Sequence, residues 1–314
     1  KKIMDRIPND IHMVYGLSPN FGWDAYDRYD GILDRTIPRA AADPFNLTRY
    51  LTVKSAWDVN KPDNIYFYYV HEPYGELWDK VQKYITPVQI EKPEYVFDSP
   101  TEGIAYATLC DFIRLQILYE NGGIYLDSDV LCLKPLDEFR NIEGSKGGCV
   151  IGQEGAAWDQ EGKLTNAILL AEKDSEFVEN WLMSFKGFDD TWAKWGVQLP
   201  FRLYNVYPDL LTVVDYKKFT WPLYHRDAMY WFYRGKGWND SNDIICSIGG
   251  DLRANETLEE SYCIHMWMGK SATNEFYKDF PDNPLEDWMT VDRIREVDTP
   301  FNKLARRFLE DFDE

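Results

Sequence analysis

A chain of 314 residues, 45% of them hydrophobic and 28% charged, is long enough to bury a sizeable core as one large domain or two small ones. Its formal net charge of −19, from 53 acidic and 34 basic residues, excludes a nucleic-acid binder built on a basic stripe and disfavours an anionic lipid surface. A phosphorylated ligand would need local help from a metal ion, a lysine or a helix N-terminus.

The first predicted element is a strand from about Asp10 to Tyr15, closed by Gly16. After an aromatic and acidic stretch, residues 46–60 carry Leu47, Tyr50, Leu51 and Trp57 near helical spacing. A strand over Asn64 to Val70 follows, then a short helix in "GELWDKVQKY" and a short strand in "TPVQIEK". The next helix, Gly103 to Glu120, is apolar through several turns and is stopped by Asn121-Gly122-Gly123. "IYLD" is then a short apolar strand ending at Asp127. Strands alternating with helices predict an α/β layer fold with a largely parallel sheet, whose ligands sit outside the carboxyl ends of the strands.

The second half alternates less cleanly. Cys149 to Glu154 reads as a strand, and "TNAILLAEK" (Thr165 to Lys173) reads as a helix. "SEFVENWLMSF" reads as a second helix, opened by Asp174 and Ser175 as caps. "LLTVVDYKKF" and "YCIHMW" read as strands, and the tail from Val291 to Glu314 as a helix packed back on the body. With no repeat, low-complexity tract or linker, the simplest reading is one domain, or one domain with a C-terminal cap.

The five cysteines, Cys110, Cys132, Cys149, Cys246 and Cys263, are odd in number and lack CxxC spacing. They read as reduced, mostly buried thiols rather than a zinc cluster or a disulfide framework. No apolar run reaches the ~18 residues of a membrane span, and no signal peptide is apparent. The sequons at Asn46, Asn239 and Asn255 do not locate the protein.

Two features carry chemistry. Asp127 and Asp129 follow an apolar strand, and side chains two apart on extended backbone point the same way. They are either turn acids or oxygen ligands for Mg²⁺ or Mn²⁺, bridging to a diphosphate. Upstream, Asp111 and Arg114 share one face of an otherwise apolar helix. They read either as an ion pair at the solvent edge, worth roughly a few tenths of a kcal/mol, or as a pair kept for a ligand. A lone histidine in an apolar strand, such as His265, is by itself usually a satisfied core residue, and His12 reads as structural.

The segments "IPNDIHMVYG", "SAWDVNKPDNIYFYY", "CDFIRLQILYENGGIYLDSDVLCLKPLDEF" and "YCIHMWMGKS" stand in the order of a DXD glycosyltransferase. The chain resembles family 32 of the retaining glycosyltransferases, over about residues 7 to 140 and again over 262 to 271. That resemblance implies a GT-A fold, a Rossmann-like nucleotide-sugar-binding sheet with helices on both faces. It implies a nucleotide-sugar half over about residues 1–140, an acceptor half rich in aromatics over about 141–290, and a C-terminal helix over 291–314. The activity it implies is metal-dependent transfer of a sugar from a nucleotide-sugar donor, a UDP-sugar in preference to a GDP-sugar, to a saccharide acceptor.

Carried over by residue, the resemblance gives Asp127, Asp129 and His265 to the metal, Mn²⁺ or Mg²⁺. Asp111 and Arg114 would hold donor-sugar hydroxyls, and Tyr125 would lie against the nucleotide-sugar. Val14, Tyr15 and Gly16 would meet base and ribose, and Lys270 and Ser271 would cover the diphosphate. Glu154, Asn166 and Trp195 are acceptor-side candidates. The tryptophans Trp192, Trp195, Trp221, Trp231 and Trp238 fit sugar stacking or, more simply, core packing. No carboxylate stands out as a covalent nucleophile, so front-face substitution is the expected route.

Competing readings are a toxin-like glucosyltransferase acting on a protein hydroxyl, a glycoside hydrolase, and a Ca²⁺-dependent sugar-binding module. The hydrolase fits poorly, because carboxylates on parallel side chains do not flank a bond. The lectin would not need Asp111, Arg114 and His265. The unpaired cysteines and the lack of a visible anchor point to a bacterial or viral cytoplasm rather than the Golgi lumen.

Overall fold

The computed structural model describes residues 7–19, 21, 44–141, 148–154, 163–222, 231–233, 245–246, 250–251, 258–267 and 289–313. Strand β1 (Asp10–Val14) leads towards helix α1 (Leu47–Asn60), whose first turn is capped by the Asn46 side chain accepting from the Arg49 amide at 3.2 Å. Strand β2 (Asn64–Tyr69), helix α2 (Glu76–Val81) and strand β3 (Thr86–Gln89) follow, then a small antiparallel pair, β4 (Tyr95–Val96) with β5 (Ser99–Pro100). Helix α3 (Tyr106–Asn121) ends at Gly122, and strand β6 (Gly123–Leu126) starts at once. Strand β7 (Val130–Cys132), helix α4 (Asp137–Arg140), strand β8 (Cys149–Gln153) and strand β9 (Leu164–Ala171) come next.

The reading of Thr165 to Lys173 as a helix is corrected here: the segment forms β9. Ala, Leu and Lys are good helix formers, but this eight-residue run has no polar stripe, and all eight residues are buried. Its neighbours settle the form, because β9 hydrogen-bonds β6 on one side and β8 on the other. The sheet order is β10-β8-β9-β6-β1-β2-β3, with β10 (Leu211–Val214) at one edge. Strand β9 runs antiparallel to both of its neighbours, while β6-β1-β2-β3 and β8-β10 pair in parallel. The fold is therefore a mixed α/β layer structure with a mostly parallel sheet.

Alternation along the central strands builds a core on each face of the sheet. Ile124, Leu126, Ile168 and Leu170 face the layer of Tyr50, Leu51 and Phe301. Tyr125, Leu169 and Ile151 face the other, with Leu109, Leu115 and Leu118 of α3 and Phe177 and Trp181 of α5 (Glu176–Met183). Ser175 caps α5 by accepting from the Val178 amide.

The segment expected as a strand over 210–219 divides. After β10, Asp215 accepts a hydrogen bond from the Lys217 amide at 2.8 Å and starts helix α7 (Tyr216–Phe219), which follows α6 (Leu199–Val206) in the chain. Past the short pair β11 (Ile245–Cys246) and β12 (Gly250–Asp251), strand β13 (Cys263–His265) pairs antiparallel with β7. The C-terminal tail is broken rather than one helix. Helix α8 (Val291–Glu296) stops, Thr299 caps a new start, and Pro300 opens α9 (Pro300–Ala305). Two 3₁₀ turns, Arg306–Phe308 and Glu310–Phe312, carry the chain onwards.

This topology decides what meets at the ligand end of the sheet. Strands β6 and β8 end there, bringing Asp127 and Glu154. Because β9 runs the other way, its beginning lies beside them: the Asp127 amide donates to the Ala167 carbonyl at 2.8 Å, and the Glu154 amide to the Lys163 carbonyl.

Candidate active site

Arg114 organises the site. It is 4% exposed, one helical turn after Cys110, and its guanidinium lies 4.5 Å over the Tyr125 ring. Its Nε donates to the Cys110 carbonyl at 3.2 Å and its Nη1 to the Asn166 carbonyl at 2.7 Å. Nη1 also stands 2.9 Å from Asp127 Oδ1, whereas Nη2 is 3.6 Å from Asp111 Oδ1. The arginine thus joins α3, β6 and the start of β9 through one planar group. Burial disfavours its charge, but Asp127 opposite outweighs this, and its pKa rises well above the ordinary value.

Asp111 has a second partner, the Asn166 side-chain amide, which donates to Oδ1 at 2.7 Å. Burial pushes the Asp111 carboxyl up to about 6, while Arg114 and Asn166 pull against that rise. Gly196 presses on the same two groups. A Cβ there would stand 2.5 Å from Asn166 Nδ2 and 2.7 Å from Asp111 Oδ1, so only glycine lets the backbone approach so closely.

The Tyr125 ring is fully buried, and its hydroxyl donates to Asp127 Oδ1 at 3.0 Å. Its influence on a ligand therefore passes through Asp127 rather than through ring contact. Burial also raises the Asp127 pKa, against the pull of Arg114.

Asp129 and His265 come together through the β7–β13 pair. Val130 lies opposite His265, and the Met266 amide donates to the Asp129 carbonyl at 2.8 Å. His265 Nε2 then stands 3.2 Å from Asp129 Oδ1. Burial lowers the His265 pKa, but the Asp129 carboxylate outweighs it and the net shift is upward. Trp267 lies against the imidazole with ring centroids 3.9 Å apart, and His265 Nδ1 is buried without a hydrogen-bond partner among the described residues. One ligand atom each from Asp127, Asp129 and His265 lie within 4.8 Å of one another. Two carboxylates and an imidazole form a donor set that fits a divalent cation.

The structure brings together Asp111, Arg114, Tyr125, Asp127, Asp129, His265 and Asn166. Asn166, expected on the acceptor side, uses its side chain to hold Asp111. Trp195, also expected there, is 3% exposed, stacked on Phe185, with its indole nitrogen donating to the Asp189 carbonyl at 2.8 Å; it is a core residue. Glu154 is half-buried beyond β8, and burial pushes its carboxyl up to about 7 against the pull of Lys163 and His265. Of the other tryptophans, Trp221 and Trp231 are buried and Trp192 is exposed, while Trp238 lies outside the described residues.

Val14 and Tyr15 are buried at the end of β1, with Arg49 over the Tyr15 ring. Gly16 turns at φ 75°, where a Cβ would run into the His71 carbonyl oxygen, which accounts for the glycine without a ligand. Lys270 and Ser271 lie outside the described residues. Two contributors were not expected from the sequence. Trp267 had a signal, being two residues from His265, but Gly196 had none, since only the fold brings it to Asp111.

Residues 61–145 match the family model described as "Glycosyltransferase sugar-binding region containing DXD motif", a span holding Asp111, Arg114, Tyr125, Asp127 and Asp129. Glucan organizing enzyme 1 of Cryptococcus neoformans var. grubii is 29% identical over 305 residues, covering 96% of this chain and 71% of the relative. Among solved structures, the glycosyltransferase GlyE of Streptococcus pneumoniae TIGR4 aligns at a TM-score of 0.46 and 10% identity, over 98% of this chain and 64% of that one. The galactosyltransferase LgtC, solved with donor and acceptor sugar analogues, aligns at 0.40 and 11% identity, over 87% and 94%. The DXD-region match and the alignment along nearly the whole chain support a glycosyltransferase of the DXD type.

Proposed function

We propose that the protein is a metal-dependent, retaining hexosyltransferase of the family 32 type and GT-A class, moving a sugar from a UDP-sugar to a saccharide hydroxyl. The observation that carries the reading is the convergence of Asp127, Asp129 and His265 within 4.8 Å, beside the buried Asp111–Arg114–Asn166 network. Asp127, Asp129 and His265 would hold a divalent cation, which would supply positive charge where the departing diphosphate gains negative charge. It also answers the difficulty of an anionic donor approaching a protein of net charge −19.

The chain's own residues supply the rest of the mechanism. Arg114 and the Tyr125 hydroxyl both hold Asp127 at Oδ1, which fixes its direction before any ligand arrives. Asp111, oriented by Asn166, accepts hydrogen bonds from donor-sugar hydroxyls. In the front-face route, the acceptor oxygen attacks from the side of the departing diphosphate, whose phosphate oxygen takes the acceptor proton. Lys270 and Ser271 keep the expected role of covering the diphosphate, and Glu154 stays an acceptor-side candidate.

The test is thermal unfolding with Mn²⁺ and UDP, with Mn²⁺ and GDP, and with each component alone. Stabilisation is expected to be greatest for Mn²⁺ with UDP. No added stability from nucleotide plus metal would sink the reading, and stabilisation by Ca²⁺ and free sugar alone would favour a sugar-binding module. Asp129→Ala is expected to abolish turnover and Mn²⁺-dependent UDP binding while leaving the fold intact.

A further inference from the structure

Beyond the glycosyltransferase reading, and independent of it, the β7–β13 pair carries a feature of its own. Cys132 and Cys263 lie directly opposite one another, and their sulfurs are 3.9 Å apart. Both side chains are fully buried. Hydrogen bonds join the flanking pairs: the Leu133 amide donates to the Tyr262 carbonyl and the Met266 amide to the Asp129 carbonyl, each at 2.8 Å. In an antiparallel ladder bonded and non-bonded pairs alternate. Counting inward from both flanks makes Cys132–Cys263 a non-hydrogen-bonded pair, the closer kind, with Cα atoms about 4.5 Å apart. That separation falls inside the span of about 4.4–6.8 Å that a disulfide bridges. By contrast, Cys110 turns its sulfur to the Tyr125 hydroxyl at 3.3 Å.

We propose that Cys132 and Cys263 form a disulfide site, closing a cross-strand bridge that fastens β13 to β7 when the chain folds in a thiol-oxidising medium. The step is thiol–disulfide exchange with a small-molecule disulfide such as oxidised glutathione. Each cysteine loses its thiol proton, the pair gives up two electrons as the S–S bond forms, and the oxidant is reduced to two thiols. Because neither sulfur is exposed in the folded protein, the bridge closes during folding or local opening and is then shielded from reductants. It ties residues 131 apart in sequence, so it removes a large loop from the unfolded ensemble. It also ties the strands that present Asp129 and His265, as their neighbours in register.

The experiment uses the whole chain, unfolded in guanidinium and refolded in mixtures of reduced and oxidised glutathione. The product is unfolded again in guanidinium containing iodoacetamide, so that every free thiol is blocked, then digested without reduction and mapped by mass spectrometry. The expected map contains one linked peptide pair joining Cys132 to Cys263, which separates on reduction, with Cys110, Cys149 and Cys246 alkylated. Alkylation of both Cys132 and Cys263 across the whole redox series, or their linkage to other cysteines, would overturn the proposal. The oxidised protein is further expected to melt roughly 3–8 °C above the same protein kept reduced. An equal or lower melting point for the bridged form would also count against it, and this comparison requires no substitution that might disturb folding.

Discussion

Asp111 and Arg114 are three residues apart on α3, and an isolated helix would pair them with each other. In the folded protein the shorter ion pair is Arg114 with Asp127, at 2.9 Å, and Asp111 is held mainly by Asn166. The sequence makes the two residues visible as misfits on an apolar helix, but their partners come from β6 and β9, beyond the reach of local spacing. Asp111 is also the residue whose charge a pH change should reveal. The groups facing it are Arg114 from its own helix, Asn166 from β9 and, farther off, Asp127, and burial leaves its pKa at about 6. As a hydrogen-bond acceptor for sugar hydroxyls it acts ionised, so kcat/KM for transfer is expected to fall as pH drops below about 6. Removing the amide donor in Asn166→Ala should move that midpoint upward. A wild-type profile flat between pH 5 and 7.5, or a midpoint unmoved in the variant, would contradict the assignment. The stability effect has the opposite sense. A carboxyl with a raised folded-state pKa binds its proton more tightly when folded, so its contribution to stability weakens as pH rises from about 4 to about 6 and is level above that.

The elements differ in how plainly the sequence announces them. The helix–glycine–glycine–strand unit of α3 and β6 was legible because its geometry demands particular residues. Gly123 has φ 114°, and a Cβ there would lie 2.6 Å from the Asp10 carbonyl oxygen, so the chain can enter β6 beside β1 only through glycine. β9 was misread because, past Thr165 and Asn166 at its start, its sequence is an unbroken apolar run; with no polar face to fix a period, the sheet alone decides its form. The turn at Lys194–Gln198, π-helical in its hydrogen bonding, was not legible at all, although it backs the donor-side acid. Its Gly196 gives the prediction at this scale. The side chain added in Gly196→Ala must displace the Asn166 amide or the Asp111 carboxylate, both of which belong to the site. Transfer should lose at least about tenfold in kcat/KM, about 1.4 kcal/mol of barrier, carried mainly by KM for the donor. Wild-type donor KM and kcat in Gly196→Ala would show that the close approach has no bearing on the site.

Across the whole molecule, polar contacts join the C-terminal tail to α1 and to the chain just after α2. Lys54, 1% exposed on α1, pairs with Asp58 at 2.6 Å and with Glu310 near the C-terminus. Next to it, Asp311 accepts from the Tyr50 hydroxyl at 2.7 Å, the Tyr84 hydroxyl at 2.8 Å and Lys83 at 2.8 Å. That the tail packs back was visible in the sequence, but these partners, more than 220 residues away, were not. The acid is the centre of the clasp. Burial acts to raise its pKa, but Lys83, Tyr50 and Tyr84 together outweigh this and hold it below the ordinary carboxyl value. Its stabilising effect is therefore present above that ordinary value and lost as pH falls through the folded-state pKa. Asp311→Ala removes the charged acceptor and leaves two tyrosine hydroxyls to find other partners, at a cost of about 2–3 kcal/mol. Urea unfolding at pH 7 should show that loss, and the gap between wild type and variant should narrow below about pH 4. Because the clasp lies on the α1 face of the sheet and the Asp111–Arg114 network on the α3 face, kcat and donor KM should stay at wild-type values wherever the variant is folded. A variant as stable as wild type at pH 7 would mean that the tail is held by the apolar packing of Phe301, Phe308 and Leu309 alone.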